Sequence, residues 1–439
     1  MANRKNIHPL SMFKTYFYTI GIVVLCSISG FSAKPGWYER ESKNFIVIYS
    51  ESYSYLVPHI LQSGESALER LSEIFDYTPS EKIVIVTFDF NDYGSAGTMT
   101  VPHNFIRLDI APFELGYENI PYHDRIQWLI SHELVHIVIG DHASPVERLN
   151  RSLFSKVAPE QEQPLSAAFS LLTNQGRYTP LWHQEGIAVF LETWMNGGFG
   201  RVLGNFDEMY FRSLVAEGES FPTPDELDSR MQHESFLIGT LHYLYGTRFI
   251  SYLAASHGVE KLIAWYRPEP GDFYKGMEQK FEEIFGIDLQ TAWQDFSQSE
   301  QRFQSENLQR LSSAQLTHVR KLYDQPLGWV TQAYVDKSGE KIIFGHHQSH
   351  QLTALKSLDL KALEMKEIGT LPSPSIIQIA STAYDTASGL FFYTTNNNQL
   401  YRDIRVMSFE TGRSRILFEN VRVGQLTVSP VTHELWGIR

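Results

Sequence analysis

With 439 residues, 43% of them hydrophobic, the chain carries enough apolar mass for two or three domains, which excludes a disordered polymer. Its 37 basic and 50 acidic side chains leave a formal charge of -13, which argues against general binding to nucleic acid or to an anionic membrane surface. What remains is the class of acidic globular proteins.

Residues 1–33 read as an export signal, because Arg4, Lys5 and Lys14 precede an apolar segment over residues 16–31, followed by Ser32 and Ala33. Phe31 is large for its place before a cut after Ala33, so cleavage and retention as an uncleaved anchor both stay open. The single cysteine, Cys26, falls inside this segment, and a chain trimmed there has no disulfide even in an oxidising compartment. The expected location is the periplasm or bacterial cell envelope.

Residues 44–49 alternate and are β-branched, as in a strand; residues 55–75 place Ile60, Leu61, Leu68, Leu71 and Phe75 on one helical stripe. Residues 82–88 and 104–110 read as two more strands, with a turn at residues 91–94 between them. An apolar run of helical length follows, and it contains His132-Glu133-Leu134-Val135-His136. On a helix the two imidazoles lie one turn apart on one face and Glu133 sits beside them. That arrangement can hold zinc from one side while the carboxylate reaches a water held there. So short a pattern also arises by accident, so a third ligand is required. Residues 34–140 are therefore expected to form an α+β lobe with the HExxH helix packed on a sheet.

Residues 141–179 break every periodicity with Pro145, Pro159, Pro164 and Gly176, which reads as an irregular insertion. Beyond it, residues 180–192 open a helix with Glu185 in its first turn, and the chain stays nearly all helical to residue 311. Helices are expected at 248–257, closed by Gly258, at 273–285, closed by Gly286, and at 289–311. Residues 312–439 differ in character, with short strands alternating with turns opened by Asp336 and Asp385, 49 residues apart, which suggests propeller blades. Some 130 residues hold two or three blades where closure needs at least four, so an incomplete propeller is expected, continued by more chain or by a partner. The run Gly345-His346-His347-Gln348-Ser349-His350 suggests a second metal site, but it lacks a carboxylate and reads rather as a solvated loop between strands.

Glu185 is the natural third ligand. It would complete a His132, His136, Glu185 set and leave a fourth position open, with Gly186 letting two backbones approach. Trp182, Glu185, Gly186 and Ala188 match the second motif of gluzincin metallopeptidases. The stretch from residue 37 to 311 resembles the peptidase MA-like domains of bacterial envelope proteins that carry a TolB-like propeller, and is also similar to the aminopeptidase N branch. The gap of 49 residues between His136 and Glu185 is longer than in the aminopeptidases. The resemblance implies a thermolysin-like catalytic domain over residues 34–311, one zinc ion, Glu133 as general base, and peptide or protein as substrate. It also implies an oxyanion-steadying tyrosine, since Tyr243, Gly246, Phe249, Tyr252 and Leu253 follow the family's pattern; Tyr243 is favoured and Tyr245 remains open. Residues 94–110 resemble the edge strand that receives an extended substrate. Glu192, seven residues after Glu185, is a candidate to orient a histidine ligand from behind.

Two rival readings carry different functions. One is a peptidase fold that has lost turnover and serves as a binding protein of the envelope, with a protein partner on the propeller. The other is a structural zinc site, which would need a fourth protein ligand such as His183. Cleavage from an end or internally is not legible in the residues.

Overall fold

The computed structural model describes residues 36–438, except 90–91, 93, 112–122, 204, 229–235, 274, 316, 349, 372–380 and 398–400. The expected export signal lies outside the described residues. Among them, no helix is long and apolar enough to cross a membrane.

The first half is built on a five-stranded mixed sheet in the order β1-β2-β3-β5-β4. Its strands are β1 (Trp37–Glu41), β2 (Phe45–Ser50), β3 (Ile83–Phe88), β4 (Ala96–Met99) and β5 (Phe105–Asp109). β2, β3 and β5 run parallel, and β1 and β4 are antiparallel at the two edges. Phe45 and Val47, Ile83 and Ile85, and Ile106 and Leu108 alternate into the core, where helix α1 (Val57–Phe75) crosses from β2 to β3 and covers them. Helix α2 (Arg125–Asp141) opens on Asp124, whose side chain accepts from the Gln127 amide at 2.8 Å. It is buried nearly all round: Ile130, Leu134, Val135, Ile137 and Val138 have no exposed surface. A helix with no wet face sits between other elements. α2 packs between α1 and helix α5 (Leu181–Met195).

Residues 141–179, expected to be irregular, hold two helices after the end of α2, α3 (Pro145–Phe154) and α4 (Pro164–Thr173). Both begin on the prolines that looked like breakers. Proline at the first helical position lacks only an N–H that has no partner there anyway, so it starts a helix as readily as it ends one.

Helices α6 (Asn205–Glu217), α7 (Pro224–Asp228), α8 (Phe236–His257), α9 (Val259–Tyr266), α10 (Met277–Phe285) and α11 (Leu289–Ser312) complete the helical lobe. α10 starts four residues later than expected and stops at Gly286, whose φ of +77° caps it in the left-handed conformation. Trp182, Phe249, Trp265, Phe281, Trp293 and Phe296 form its aromatic core. α5 and α8 cross where two glycines face each other. A Cβ on Gly186 would stand 2.6 Å from the Gly246 carbonyl carbon, and one on Gly246 would overlap the Trp182 carbonyl oxygen. No side chain fits at this crossing, which sets how closely α8 approaches α5, the helix that carries Glu185.

The last third is all β. Strands β6 (Trp329–Val330), β7 (Tyr334–Val335), β8 (Lys341–His347), β9 (Ala354–Asp359) and β10 (Met365–Thr370) form one sheet. β11 (Thr382–Asp385), β12 (Leu390–Asn396), β13 (Arg402–Ser408) and β14 (Ser414–Phe418) form an antiparallel meander, and β15 (Gln425–Val428) pairs with β16 (Leu435–Ile438). The first two sheets share a core of Ile343, Leu355, Tyr384, Phe391, Tyr393 and Met407. Leu426, Val428 and Leu435 pack on Ala383, Phe392 and Val406 of the meander. Among the described residues these sheets close into neither a barrel nor a propeller. His346, expected in a solvated loop, instead extends β8 and is buried, because the strand continues three residues past its apolar run, through His347.

The β-rich part is pinned to the first lobe through charge. Arg422 donates to Asp92 at 2.7 Å and to both carboxylate oxygens of Asp89, and the Arg402 amide donates to Asp92 at 2.8 Å. Asp89 and Asp92 lie in the segment that leads from β3 into the edge strand β4.

Candidate metal centre

α2 and α5 bring three donors to one point. His132 Nε2 and His136 Nε2 are 3.2 Å apart, and each is 3.3 Å from Glu185 Oε2. Three ligand atoms at the corners of a tetrahedron with arms of about 2.0–2.1 Å stand roughly 3.3 Å apart, so the triangle has the dimensions of one face of a zinc coordination shell. Among the described residues no fourth His, Cys, Asp or Glu joins this group, which leaves one side open. Glu185 Oε2 is buried and faces the two imidazole nitrogens, so a carboxylate and two imidazoles converge on one point out of water.

The second row explains which histidine nitrogen is offered. His132 Nδ1 donates to Glu192 Oε2 at 2.6 Å, which directs Nε2 at the triangle. Glu192 is wholly buried, and Arg201 holds both of its oxygens at 3.1 Å. Burial opposes charge on His132, but Glu192 and Glu185 outweigh it and raise the imidazole to about 10. Burial likewise works against charge on Glu185, yet the imidazoles of His136 and His132 hold its carboxyl well below the usual range. Glu192 is lowered in the same way, burial being overcome by Arg201 and His132. The centre as a whole favours a positive charge at its middle, whether a proton or a metal ion.

Glu133 is buried on the same helix, and the Thr98 hydroxyl of edge strand β4 donates to its Oε2. β4 therefore passes directly beside the candidate base. Tyr243 on α8 stacks its ring at 6.3 Å from His132, under the Arg201 guanidinium at 4.6 Å. Tyr245, two residues on, points away into the core against Phe211, Tyr210 and Phe221. His183 stays out of the cluster: its ring stacks on Tyr266 at 4.2 Å, and burial, aided by Lys280, pushes it down to about 3.

Arg201 escaped the sequence reading. It returns to Glu192 through the turn Gly197-Gly198-Phe199-Gly200, where Gly197 and Gly198 have positive φ and a Cβ on Gly200 would overlap the Thr193 hydroxyl. That glycine-rich turn directly after the motif helix was the available signal. Because Glu192 sets the His132 tautomer, Glu192→Gln should weaken zinc binding by roughly 10–100-fold while keeping one site per chain, as read by competition with a chromogenic chelator. Unchanged affinity would show that Glu192 serves only the fold.

No protein-family model matches the chain, and no curated protein matches it in sequence. Among solved structures it is similar to an aminopeptidase N family protein from Idiomarina loihiensis, at 14% identity and a TM-score of 0.32, over 60% of this chain and 41% of that one. The chain thus spans less than half the length of that protein, and likeness at this level carries no conclusion about activity. The fold and the site together define a mixed α/β protein with an open His, His, Glu cluster that can hold a metal ion.

Proposed function

We propose that the chain is an exported zinc metallopeptidase of the gluzincin type, and that its β-rich end is the start of a propeller. The observation that carries this reading is the open donor triangle of His132, His136 and Glu185, with Glu133 beside it on the same helix and an edge strand alongside. Zinc held there supplies Lewis acidity to a peptide carbonyl and lowers the cost of deprotonating water. Glu133 takes a proton from the attacking water and later delivers it to the leaving amine. Thr98 fixes the Glu133 carboxyl against the edge strand. An extended peptide adds to β4 through its backbone, which admits many sequences. Tyr243 donates to the oxygen that gains charge, and Arg201 and Glu192 keep His132 in place. The absence of a fourth protein ligand among the described residues favours this reading over a structural zinc. The face-to-face packing of successive antiparallel sheets supports the blade reading, and a partner would meet the chain there.

Digestion of a mixed library of end-blocked and free-ended peptides by the zinc-loaded full chain tests the proposal. New termini in the blocked set define an endopeptidase, and cleavage confined to free amino ends an aminopeptidase. Zinc uptake with no new termini in either set would move the assignment to a binding protein of the envelope.

A further inference from the structure

A second cavity, of about 260 Å³, lies on the far side of α5 from the metal centre. Ile139 and His142 at the end of α2, Leu171 on α4, His183 on α5, and Trp265 and Tyr266 on α9 line it; none of His132, His136 and Glu185 does. His183 and Glu185 are two residues apart, close to opposite sides of one helix, so the two sites share α5 back to back.

Three nitrogens in this wall are buried without a hydrogen-bond partner: His183 Nδ1, His183 Nε2 and His142 Nδ1. His183 is only 4% exposed. Its ring stacks on Tyr266 and meets the edge of Trp265 at 4.4 Å, and His142 stacks on Tyr77 at 4.3 Å, so the imidazoles are held in place by packing. The charged groups around the cavity are already paired. Lys280 and Lys275 stand 2.6 and 3.4 Å from Asp272, and Glu147 accepts from the Ser144 and Gln175 amides at 2.9 and 2.8 Å. Buried polar atoms are nearly always satisfied, so three unsatisfied nitrogens in an aromatic wall mark what the cavity lacks. An uncharged imidazole offers one donor and one acceptor, which a hydroxyl or an amide answers. The paired lysines and carboxylates favour neither an anion nor a cation.

We propose that this cavity binds a small uncharged molecule with a compact, ring-like apolar body and one hydroxyl or amide group. Roughly 150 Å³ accommodates benzene, so the space suffices for a substituted ring. Leu171 and Tyr178, each about half exposed, stand at the rim. The inference is independent of the peptidase reading, since it uses none of the metal-centre residues.

Phenol and benzamide, with benzylamine and benzoate as charged counterparts, are the probes, applied to the full chain and followed by saturation-transfer NMR. The two uncharged probes should bind in the millimolar range and compete with each other, and the charged ones should bind at least about 10-fold more weakly. His183→Phe keeps a stacked ring and removes both nitrogens, and it should weaken phenol by roughly 10-fold. Leu171→Trp, at an exposed position, should block entry even if the first variant fails to fold. Failure of both uncharged probes to bind the parent, equal binding of all four, or phenol binding that survives Leu171→Trp would each overturn the proposal.

Discussion

Glu133→Gln should abolish nearly all peptide cleavage while leaving zinc content unchanged. Glu133 is asked to move a proton twice, from water and then to the leaving amine, and such help is worth roughly 10² to 10⁴ in rate each time it acts. The substituted amide can still accept from Thr98 but cannot take a proton, and it leaves His132, His136 and Glu185 untouched. Tyr243→Phe should cost less, on the order of 10² to 10³ in kcat with KM nearly unchanged, because it removes one hydrogen bond to charge that is otherwise stabilised. Tyr245→Phe should leave kcat within about threefold, since that ring lies in the core away from the cluster. Single-turnover cleavage of one library peptide by parent and variants, each with measured zinc, separates these. Equal rates in parent and Glu133→Gln would mean that the base lies elsewhere or that the activity is foreign to the chain.

Glu185→Ala and His136→Ala should each lower bound zinc from about one per chain to under about one tenth, because two remaining protein donors make too few bonds to hold it. In the metal-free chain His132 is raised to about 10 by its carboxylates, so at neutral pH that nitrogen carries a proton which metal must displace. Zinc affinity should therefore rise with pH through the neutral range, with proton release on uptake, and fall as acid restores the proton. Metal analysis after dialysis, with titrations at two pH values, reads both effects. A Glu185→Ala chain as fully loaded as the parent would send the search for the third ligand to another residue.

How much of this was legible depends on the range of the forces involved. The strands at 44–49, 82–88 and 104–110 and the helix at 55–75 were placed within a residue or two, because alternation and a helical stripe are local patterns that burial enforces. The edge strands β1 and β4 were not resolved as separate strands: they are short, β1 is mostly exposed and β4 only partly buried, so their residues carry little alternation. The helix period alone put His132 and His136 on one face, and the glycine after Glu185 signalled a close backbone approach that the α5–α8 crossing realises against Gly246. Pro145 and Pro164 misled because a proline's effect depends on whether it stands at the first turn or inside a helix, and residue spacing does not distinguish the two.

What the residues could not reveal is whatever depends on chain segments meeting across long gaps. Tyr243 and Tyr245 are both tyrosines on one helix, and only the rotation of α8, held by the Gly186 and Gly246 contact, turns the first toward His132 and the second into the core. Arg201 reaches Glu192 and Tyr243 only because the glycine turn folds it back. Arg422 finds Asp89 and Asp92 across more than 300 positions of sequence. A buried charge must find a partner wherever the packing offers one, and that choice is made by the tertiary structure, whereas a helix or strand declares itself in the next few residues.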